Sequence, residues 1–433
     1  MQFDAPLAGH LVLDGELSPG SEPLPVVHGL LHDGGSITAL QCYAAGRRTH
    51  GTGDERHTRQ TLAVMTFVIG EYLDAEPVFD RIAVHLNYLR EWADVREGWE
   101  SPAGDASGYS LRYTRPRDRS VSLRDGRAVA LRTVQRIVSS SRSVAAEQET
   151  IFSVVFRTPA TLDTVGNTVA SLRDLISFTR RRPTSVLRIT TTCPGVLIAP
   201  GVDVPRELDL RSTQVTQESA TADAASLPEW DFLFLAPEAP AEYGALIQSW
   251  FDLEERLDVM LDLFLGLLYA PPRHLENKVM NICQAAEGYH RRTLDHTLMP
   301  ADQYKALTDT LIGACPEDRR EGVRDLLSHG NAPSFRQRIE ELVVRAGGVS
   351  DTLTRTFANF SGKLRNYRVL YAHGLAGNLM NDDAVAELAD LYDTMRIILE
   401  VCLLQDLGWS SPEADRAMAE KRDYVRLSKR ARV

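Results

Sequence analysis

The chain has 433 residues, of which 43% are hydrophobic and 25% are charged, and its formal net charge is -11 at pH 7. This length and composition allow two or more domains with hydrophobic cores of their own. The negative charge argues against a general nucleic-acid coating protein, because such binding depends on Lys and Arg releasing phosphate counterions. It does not exclude a local basic pocket.

Signals for membranes, secretion and metal binding are missing from the sequence. The apolar run Leu263–Ala270 is far shorter than the roughly 20 residues that span a bilayer. The N-terminal stretch MQFDAPLAGHLVLDGEL lacks the basic and apolar regions of a secretion signal. The five cysteines lie far apart and form no CxxC or other metal spacing. We therefore expect a cytoplasmic protein with reduced thiols, no membrane partner, and no metal or other cofactor.

Residues 1–236 have the patterns of β structure. Turn signals such as LDGE, HDGG and RDGR separate short β-branched or alternating runs. These runs are LVLDGEL, HGLLHDGGSITALQCYAA, QTLAVMTFVIGEYL, DRIAVHLNYL, TIFSVVF and SVLRITTT. One amphipathic helix is predicted at Thr161–Phe178, where apolar residues recur at helical spacing. They are Val165, Val169, Leu172, Leu175 and Ile176.

The pattern changes at Leu235–Gly244, a Pro/Ala-rich linker, and residues 237–433 are predicted to be helical. The predicted helices are Tyr243–Tyr269, Arg273–Arg292, Ala301–Gly313, Ala332–Ala346, Ser350–Gly374 and Asp382–Gly408. Ser350 is the predicted N-cap of the fifth helix and Gly374 its terminating glycine. The basic runs Thr179–Pro183 and Lys421–Val433 are interpreted as solvated, the second as a disordered tail. The predicted fold class is α+β, a mostly β N-terminal domain followed by a helical bundle.

Two arginines, an asparagine and a histidine are concentrated at the end of the helix that precedes Gly374. The core stripe of this helix consists of Leu353, Phe357, Phe360, Leu364, Tyr367 and Tyr371. Arg365 and Arg368 lie on one flank of the stripe, while Asn366 and His373 lie on the other. A cleft bordered by this helix could therefore hold two guanidinium groups and an imidazole.

These side chains suit phosphodiester cleavage in RNA. Arginine offers a planar fork for a non-bridging phosphate oxygen and its growing charge. Histidine can take the proton of the ribose 2′-OH or give one to the leaving 5′-oxygen. Because RNA supplies its own nucleophile, this chemistry needs no metal.

The stretch RVLYAHG, which contains Arg368, His373 and Gly374, resembles the RNxxxHG signature of HEPN ribonucleases. It departs from the signature at Val369, where a polar residue is usual. The pair Arg365-Asn366 lies too far from His373 for the family's spacing. Spacing therefore favours Arg368 as the essential arginine and leaves Arg365 as a second phosphate contact. Arg291 and His296 have the same spacing, so the motif alone is weak.

Other segments carry the same resemblance. ENKVMNICQAAEGYHRR resembles a helix of the ApeA-type branch of HEPN proteins, in which an acidic residue, here Glu287, lies near the motif arginine. HGLLHDGGSITALQCYAA and TPATLDTVGNTVASLRDLISFTRRRP resemble the mostly β N-terminal domain of that branch. Its members are bacterial anti-phage, abortive-infection proteins.

The resemblance implies a toxin-like, RNA-binding endoribonuclease that cleaves host RNA without a metal once a phage protein triggers it, with tRNA a candidate substrate. Arg368 and His373 would be catalytic. The residues with supporting or phosphate-binding roles would be Arg365, Asn366, Glu287 and Tyr371.

The site is also expected to need a second chain. Residues five apart are separated by roughly 140° around a helix, so Arg368 and His373 do not converge on one phosphate unless the helix distorts near Gly374. HEPN nucleases complete their sites by dimerisation. The resemblance therefore implies a homodimer, or a higher homo-oligomer, formed through the helical domain.

Simpler interpretations stay open. A histidine at a helix C-terminus is favoured by the helix dipole, by about 0.3–1 kcal/mol, and Glu287 can pair with Arg291 on its own helix. Val369 favours a non-catalytic HEPN dimerisation scaffold with a ligand-binding β domain. A carbohydrate-binding β domain is a third alternative, although no Asp/Asn/aromatic constellation supports it.

Overall fold

The computed structural model describes residues 24–50, 57–94, 99–100, 112–113, 116–139, 144–212, 232–372 and 382–430. The predicted strand LVLDGEL lies outside these ranges. The described strands are β1 (Leu24–Leu30), β2 (Ser36–His50), β3 (His57–Ile69), β4 (Phe79–Leu86), β5 (Trp99–Glu100), β6 (Arg112–Tyr113), β7 (Arg119–Ser122), β8 (Ala128–Ser139), β9 (Val144–Ala160), β10 (Val186–Thr192), β11 (Leu197–Ala199), β12 (Val202–Pro205) and β13 (Leu208–Ser212). The helices among them are α1 (Leu89–Trp92) and α2 (Leu162–Arg180).

Most strands belong to one nine-stranded sheet in the order β1-β2-β3-β13-β10-β4-β9-β8-β7. All of its strand pairs are antiparallel. The predicted turn HDGG joins β1 to β2, and Gly34 adopts a φ of 84° there, a conformation that favours glycine. The prediction of a mostly β N-terminal region is confirmed. β5, β6, β7, β8, β11, β12 and β13 were not predicted from the sequence.

Helix α2 packs on this sheet as its apolar spacing predicts. Its N-cap is Thr161, whose side chain accepts a hydrogen bond from the backbone N–H of Thr164. The predicted apolar face, Val165, Val169, Leu172, Leu175 and Ile176, is buried throughout. This face contacts β4 and β9, so α2 covers the middle of the sheet.

The C-terminal region, residues 236–430, is helical in its described part. The helices are α3 (Tyr243–Leu257), α4 (Val259–Tyr269), α5 (Leu275–Thr293), α6 (Ala301–Ala314), α7 (Arg320–Leu327), α8 (Phe335–Ala346), α9 (Gly348–Thr354), α10 (Phe360–Ala372), α11 (Asp382–Asp406), α12 (Ser411–Ala419) and α13 (Arg422–Arg430). Short 3-10 helices lie at Ala236–Glu238 and Glu317–Arg319. The predicted all-α region is confirmed, while α7, α12 and α13 are additions to it.

The prediction of one long helix over Tyr243–Tyr269 is wrong, because the chain breaks at Asp258. Asp258 has φ 37° and ψ -118° and separates α3 from α4. In a continuous helix the carbonyl of Arg256 would accept from a backbone N–H four residues later. It accepts instead from the guanidinium of Arg292, 3.1 Å away on α5. A tertiary hydrogen bond therefore satisfies a carbonyl at the end of α3. No local sequence signal marks the break between α3 and α4.

The single helix predicted over Ser350–Gly374 is also wrong, because α9 and α10 are separate. Ser350 is not an N-cap: its buried hydroxyl donates to the carbonyls of Val343 and Gly347. The N-cap of α10 is Asn359, whose Oδ1 accepts from the N–H of Gly362 at 3.0 Å. Asparagine competes with the helix backbone in this way.

The interpretation of both basic runs as solvated is wrong in part. Arg181, just after α2, is paired with Glu400 and Asp423, and 14% of its side chain is exposed. Residues Arg422–Arg430 of the second run form α13, where Leu427 is buried and Arg426 pairs with acidic residues of α11. Both runs therefore contribute to packing between elements.

The sheet and the helices share one hydrophobic core. Helix α3 packs against the edge strand β7, and the indole Nε1 of Trp250 donates to the carbonyl of Ser171 on α2 at 3.0 Å. The domain boundary after residue 236 stays a prediction, since Phe232–Ala236 is buried in the same core. Within the described ranges, every helix is too short or too polar to cross a membrane.

Candidate functional site

Helix α10 positions the predicted site residues through its buried face. Phe360 and Leu364 lie in the core, and Tyr367 and Tyr371 pack against it from the partly exposed side. The predicted core stripe therefore continues across the break between α9 and α10. The described part of the helix ends at Ala372, so the predicted catalytic His373 and the predicted cap Gly374 lie outside the described residues.

Arg368 is held by Glu287, which lies on α5. Nη2 of Arg368 donates to Oε2 of Glu287 at 2.7 Å, and 31% and 20% of the two side chains are exposed. The other oxygen of Glu287 accepts from Arg291 at 3.0 Å, four residues further along α5. Glu287 therefore contacts both of its predicted partners, Arg368 and Arg291, at the same time. One carboxylate bridges two arginines, and the trio carries a net positive charge.

An aromatic ring supports the same guanidinium. The Cζ atom of Arg368 lies 4.5 Å from the ring centroid of Phe335, the first residue of α8, as in a cation–π contact. Arg368 is also close to the buried Cys283: burial raises the pKa of this thiol to about 12, and the positive charge of Arg368 opposes the rise. Residues of α5 and α8 therefore surround this arginine of α10. Nothing in the sequence pattern indicated the contact with Phe335.

Arg365 and Asn366 are both exposed on the same helix. Within the part of the chain that the structure describes, neither side chain has a hydrogen-bond or ion-pair partner. Both therefore remain accessible to a ligand. The structure joins Arg368 with Glu287 and leaves Arg365 and Asn366 at the surface of the same helix.

Tyr371 stacks on Tyr367, with ring centroids 6.2 Å apart and an angle of 14° between the planes. Burial and the carboxylate of Glu276 raise the pKa of Tyr371. Tyr367 donates to Glu387 of α11 at 3.2 Å, and Lys363 pairs with the same carboxylate. These contacts fasten α10 to α11 and leave Tyr371 at the rim of the core, next to Ala372.

A separate polar cluster lies between α5 and α8, and spacing in the sequence does not reveal it. Among the described residues, His290, His296 and Glu341 form the one group with metal-ligating atoms within 4.8 Å of one another. The buried guanidinium of Arg338 donates to Nδ1 of His290 at 2.7 Å. Nε2 of His290 must then carry the ring proton that faces Glu341, 2.7 Å away. This tautomer suits a hydrogen-bond network better than a metal site.

Comparison with family models gives two matches that together cover most of the chain. A model described as ApeA N-terminal domain 1 matches residues 3–250, and one described as Apea-like HEPN matches residues 280–413. The second range contains Glu287, Phe335 and Arg368. No curated protein and no solved structure matches the chain significantly.

Proposed function

Because the chain belongs to the ApeA-like HEPN anti-phage proteins, we propose that it is a metal-independent endoribonuclease that cleaves host RNA after sensing a phage component. Membership of this family implies anti-phage defence, and HEPN domains are generally ribonuclease domains. One observation carries the assignment to these residues. Glu287 on α5 holds the guanidinium of Arg368 on α10, five positions before His373. The candidate substrate is tRNA.

Arg368 is suited to bind the scissile phosphate. A guanidinium has five N–H donors, and the contact with Glu287 uses one of them. The others can face a non-bridging oxygen and stabilise the charge that grows on it. The positive charge shared with Arg291 offsets the cost of bringing an anion close to Glu287.

His373 then moves the proton. The ribose 2′-oxygen attacks phosphorus, the bond to the 5′-oxygen breaks, and a 2′,3′-cyclic phosphate and a 5′-hydroxyl result. The 2′-OH loses its proton and the leaving 5′-oxygen gains one; His373 carries out one of these two transfers and water the other. Arg365 would be a second phosphate contact on the substrate side, Asn366 a polar contact beside it, and Tyr371 part of the rim.

A second copy of the chain completes this site in the proposal. Helix α10 is uninterrupted from Phe360 to Ala372. Successive side chains along it are therefore about 100° apart around the helix axis. Positions five apart then point roughly 140° apart. An isologous two-fold contact between helical regions would place Arg368 of each chain opposite His373 of the other.

Cleavage can be tested in phage-infected bacteria that express the chain, because infection supplies the trigger. We expect new RNA ends in cells with the wild-type protein, and about a hundredfold fewer with His373→Ala or Arg368→Ala. The matched controls are His329→Ala and Arg355→Ala, which replace exposed residues elsewhere in the helical region. Equal RNA cleavage by wild type and His373→Ala would overturn the proposal.

A non-catalytic dimerisation scaffold is the second candidate. Two observations favour it. The contacts of Arg368 with Glu287 and Phe335 also contribute to packing, and Val369, which is 43% exposed, stands where the signature has a polar residue. A scaffold would keep its self-association in Arg368→Ala and would cause no toxicity on overexpression. A ribonuclease would be toxic, and Arg368→Ala would relieve the toxicity.

A further inference from the structure

A cleft of about 290 Å³ lies where the C-terminal end of α2 meets α11 and the start of α13. Its lining is strongly basic. The cationic residues in it are Arg180, Arg181, Arg182, Arg396, Lys421 and Arg422. The first three belong to the β-rich half and the last three to the helical half, so the cleft lies at the junction of the two. It is separate from the Arg368 site.

Two of these cations are neutralised by carboxylates. Arg181 and Arg396 both pair with Glu400 and with Asp423. Burial alone would raise the pKa of Asp423, but the hydrogen bonds and charges of the two arginines hold that pKa well below its ordinary value. Arg396 also lies 3.8 Å from Asp393, and this network of five residues forms a fixed base for the cleft.

Arg182 and Lys421 bring further positive charge to the cleft. Among the described residues that line it, Asp423 is the single carboxylate. Arg182 is exposed, and it has no ion-pair partner within the described ranges. Burial lowers the pKa of Lys421; Glu238 opposes this shift and Arg181 adds to it. A lysine in such surroundings gains from a nearby anion.

We propose that this cleft binds a small di- or triphosphate anion, either free or as part of a nucleotide. Arginine forks match phosphate oxygens in geometry as well as charge. Tyr392 and Leu268 also line the cleft, and they provide an aromatic and apolar wall for a nucleoside. The volume lies near the lower end of the range for small-molecule sites, roughly 300 Å³.

A strand of RNA fits these observations less well. Single-strand binding needs an extended groove with several aromatic platforms, whereas the described lining of this cleft offers one, Tyr392. A bound phosphate would instead connect α2 with α11 and α13. Binding of the small anion does not depend on the ribonuclease proposal. The contacts of Glu387 with α10 lie roughly 20 Å away along α11 from Glu400.

The test is isothermal titration of the full-length protein with ATP, inorganic pyrophosphate and adenosine. We expect saturable binding of ATP and pyrophosphate that weakens with added salt, and no binding of adenosine. Arg182→Glu should weaken the affinity about tenfold or more. The matched control, Arg324→Glu, reverses an exposed charge on α7 and should leave the affinity unchanged. Circular dichroism melting would verify that both variants fold.

Tighter binding of ATP would identify a nucleotide as the source of the phosphates, and equal affinities would identify free oligophosphate; both results support the proposal. Three results would overturn it: no binding of ATP or pyrophosphate at millimolar concentration, adenosine binding as tightly as ATP, or equal weakening by Arg182→Glu and Arg324→Glu. Binding of an RNA oligonucleotide through Arg182 without binding of either phosphate compound would also overturn it, and would assign the cleft to RNA.

Discussion

Glu287 and Arg368 meet across two helices, with Oε2 and Nη2 2.7 Å apart, while the second oxygen of Glu287 contacts Arg291. The arginine proposed to bind phosphate is therefore positioned by a carboxylate that is itself divided between two cations. This arrangement fixes the guanidinium in place without using all of its donors.

Glu287→Ala is expected to lower RNA cleavage by about ten- to a hundredfold, because Arg368 loses a charge-assisted hydrogen bond. Glu287→Gln should retain more activity, since its amide oxygen can still accept from Arg368. Single-turnover rates on a defined RNA would measure this. Arg291→Ala is the control: it removes the other partner of Glu287 and leaves the Arg368 contact. Equal losses in Glu287→Ala and Arg291→Ala would contradict a positioning role.

Arg365 and Arg368 should have different roles, the first in RNA binding and the second in the cleavage step. Arg365→Ala is expected to weaken RNA binding and to reduce its salt dependence by about one phosphate contact, with little effect on the cleavage rate of bound RNA. Arg365→Lys should restore binding, because a point charge suffices there. Arg368→Lys should stay inactive, because lysine lacks the planar fork. Fluorescence anisotropy combined with single-turnover cleavage separates the two effects. A large rate defect in Arg365→Ala would reverse the assignment.

The buried ion network should stabilise the association of the two halves. Glu400 is 2% exposed and pairs with Arg181 and Arg396. Glu400→Ala is expected to lower the free energy of unfolding by about 3 kcal/mol. It removes a buried carboxylate from two largely buried guanidinium groups, which keep Asp423 and, for Arg396, a 3.8 Å contact with Asp393.

Urea denaturation would measure this difference. The control is Asp252→Ala, which breaks an exposed pair with Arg124 that also joins the two halves and should cost less than about 1 kcal/mol. If Glu400→Ala and Asp252→Ala lowered the free energy of unfolding equally, the Glu400 network would contribute no more than an exposed ion pair.

Glu254 should make stability depend on pH. Burial raises the pKa of this carboxyl from its ordinary value of 4.5 to about 7, while the hydrogen bond from Ser171 opposes the rise. Between these values the folded state binds more protons than the unfolded state, so the free energy of unfolding falls as pH rises from 4.5 to about 7.

Glu254→Gln is expected to remove this slope, which is at most about 1.4 kcal/mol per pH unit, and to stabilise the protein above neutral pH. Urea denaturation across this pH window tests it, with the exposed neighbour substitution Glu255→Gln as control. A slope unchanged in Glu254→Gln would show that other groups cause it.

The sequence was sufficient for the fold class and for part of the site. Apolar spacing predicted α2 and its buried face, and the family resemblance brought Glu287 next to Arg368. Phe335 was not predicted, because it reaches Arg368 from a third helix with no motif of its own. The breaks at Asp258 and before Asn359 were missed for a related reason: the first depends on Arg292 from α5, and the second on a side-chain cap that competes weakly with the helix backbone.

A mixed dimer gives the sharpest test of a site built from two chains. Arg368→Ala and His373→Ala are each expected to be inactive. If Arg368 of one chain works with His373 of the other, a heterodimer of the two variants contains one intact pair, because each chain supplies the residue that its partner lacks. Co-purified heterodimers with two different affinity tags should then recover up to about half of the wild-type cleavage rate, since one of the two symmetric sites is restored.

A heterodimer of His373→Ala with the double variant Arg368→Ala/His373→Ala has no intact pair and serves as the control. Recovery no greater than in this control would place both residues of a site on one chain, and α10 would then have to bend beyond Ala372.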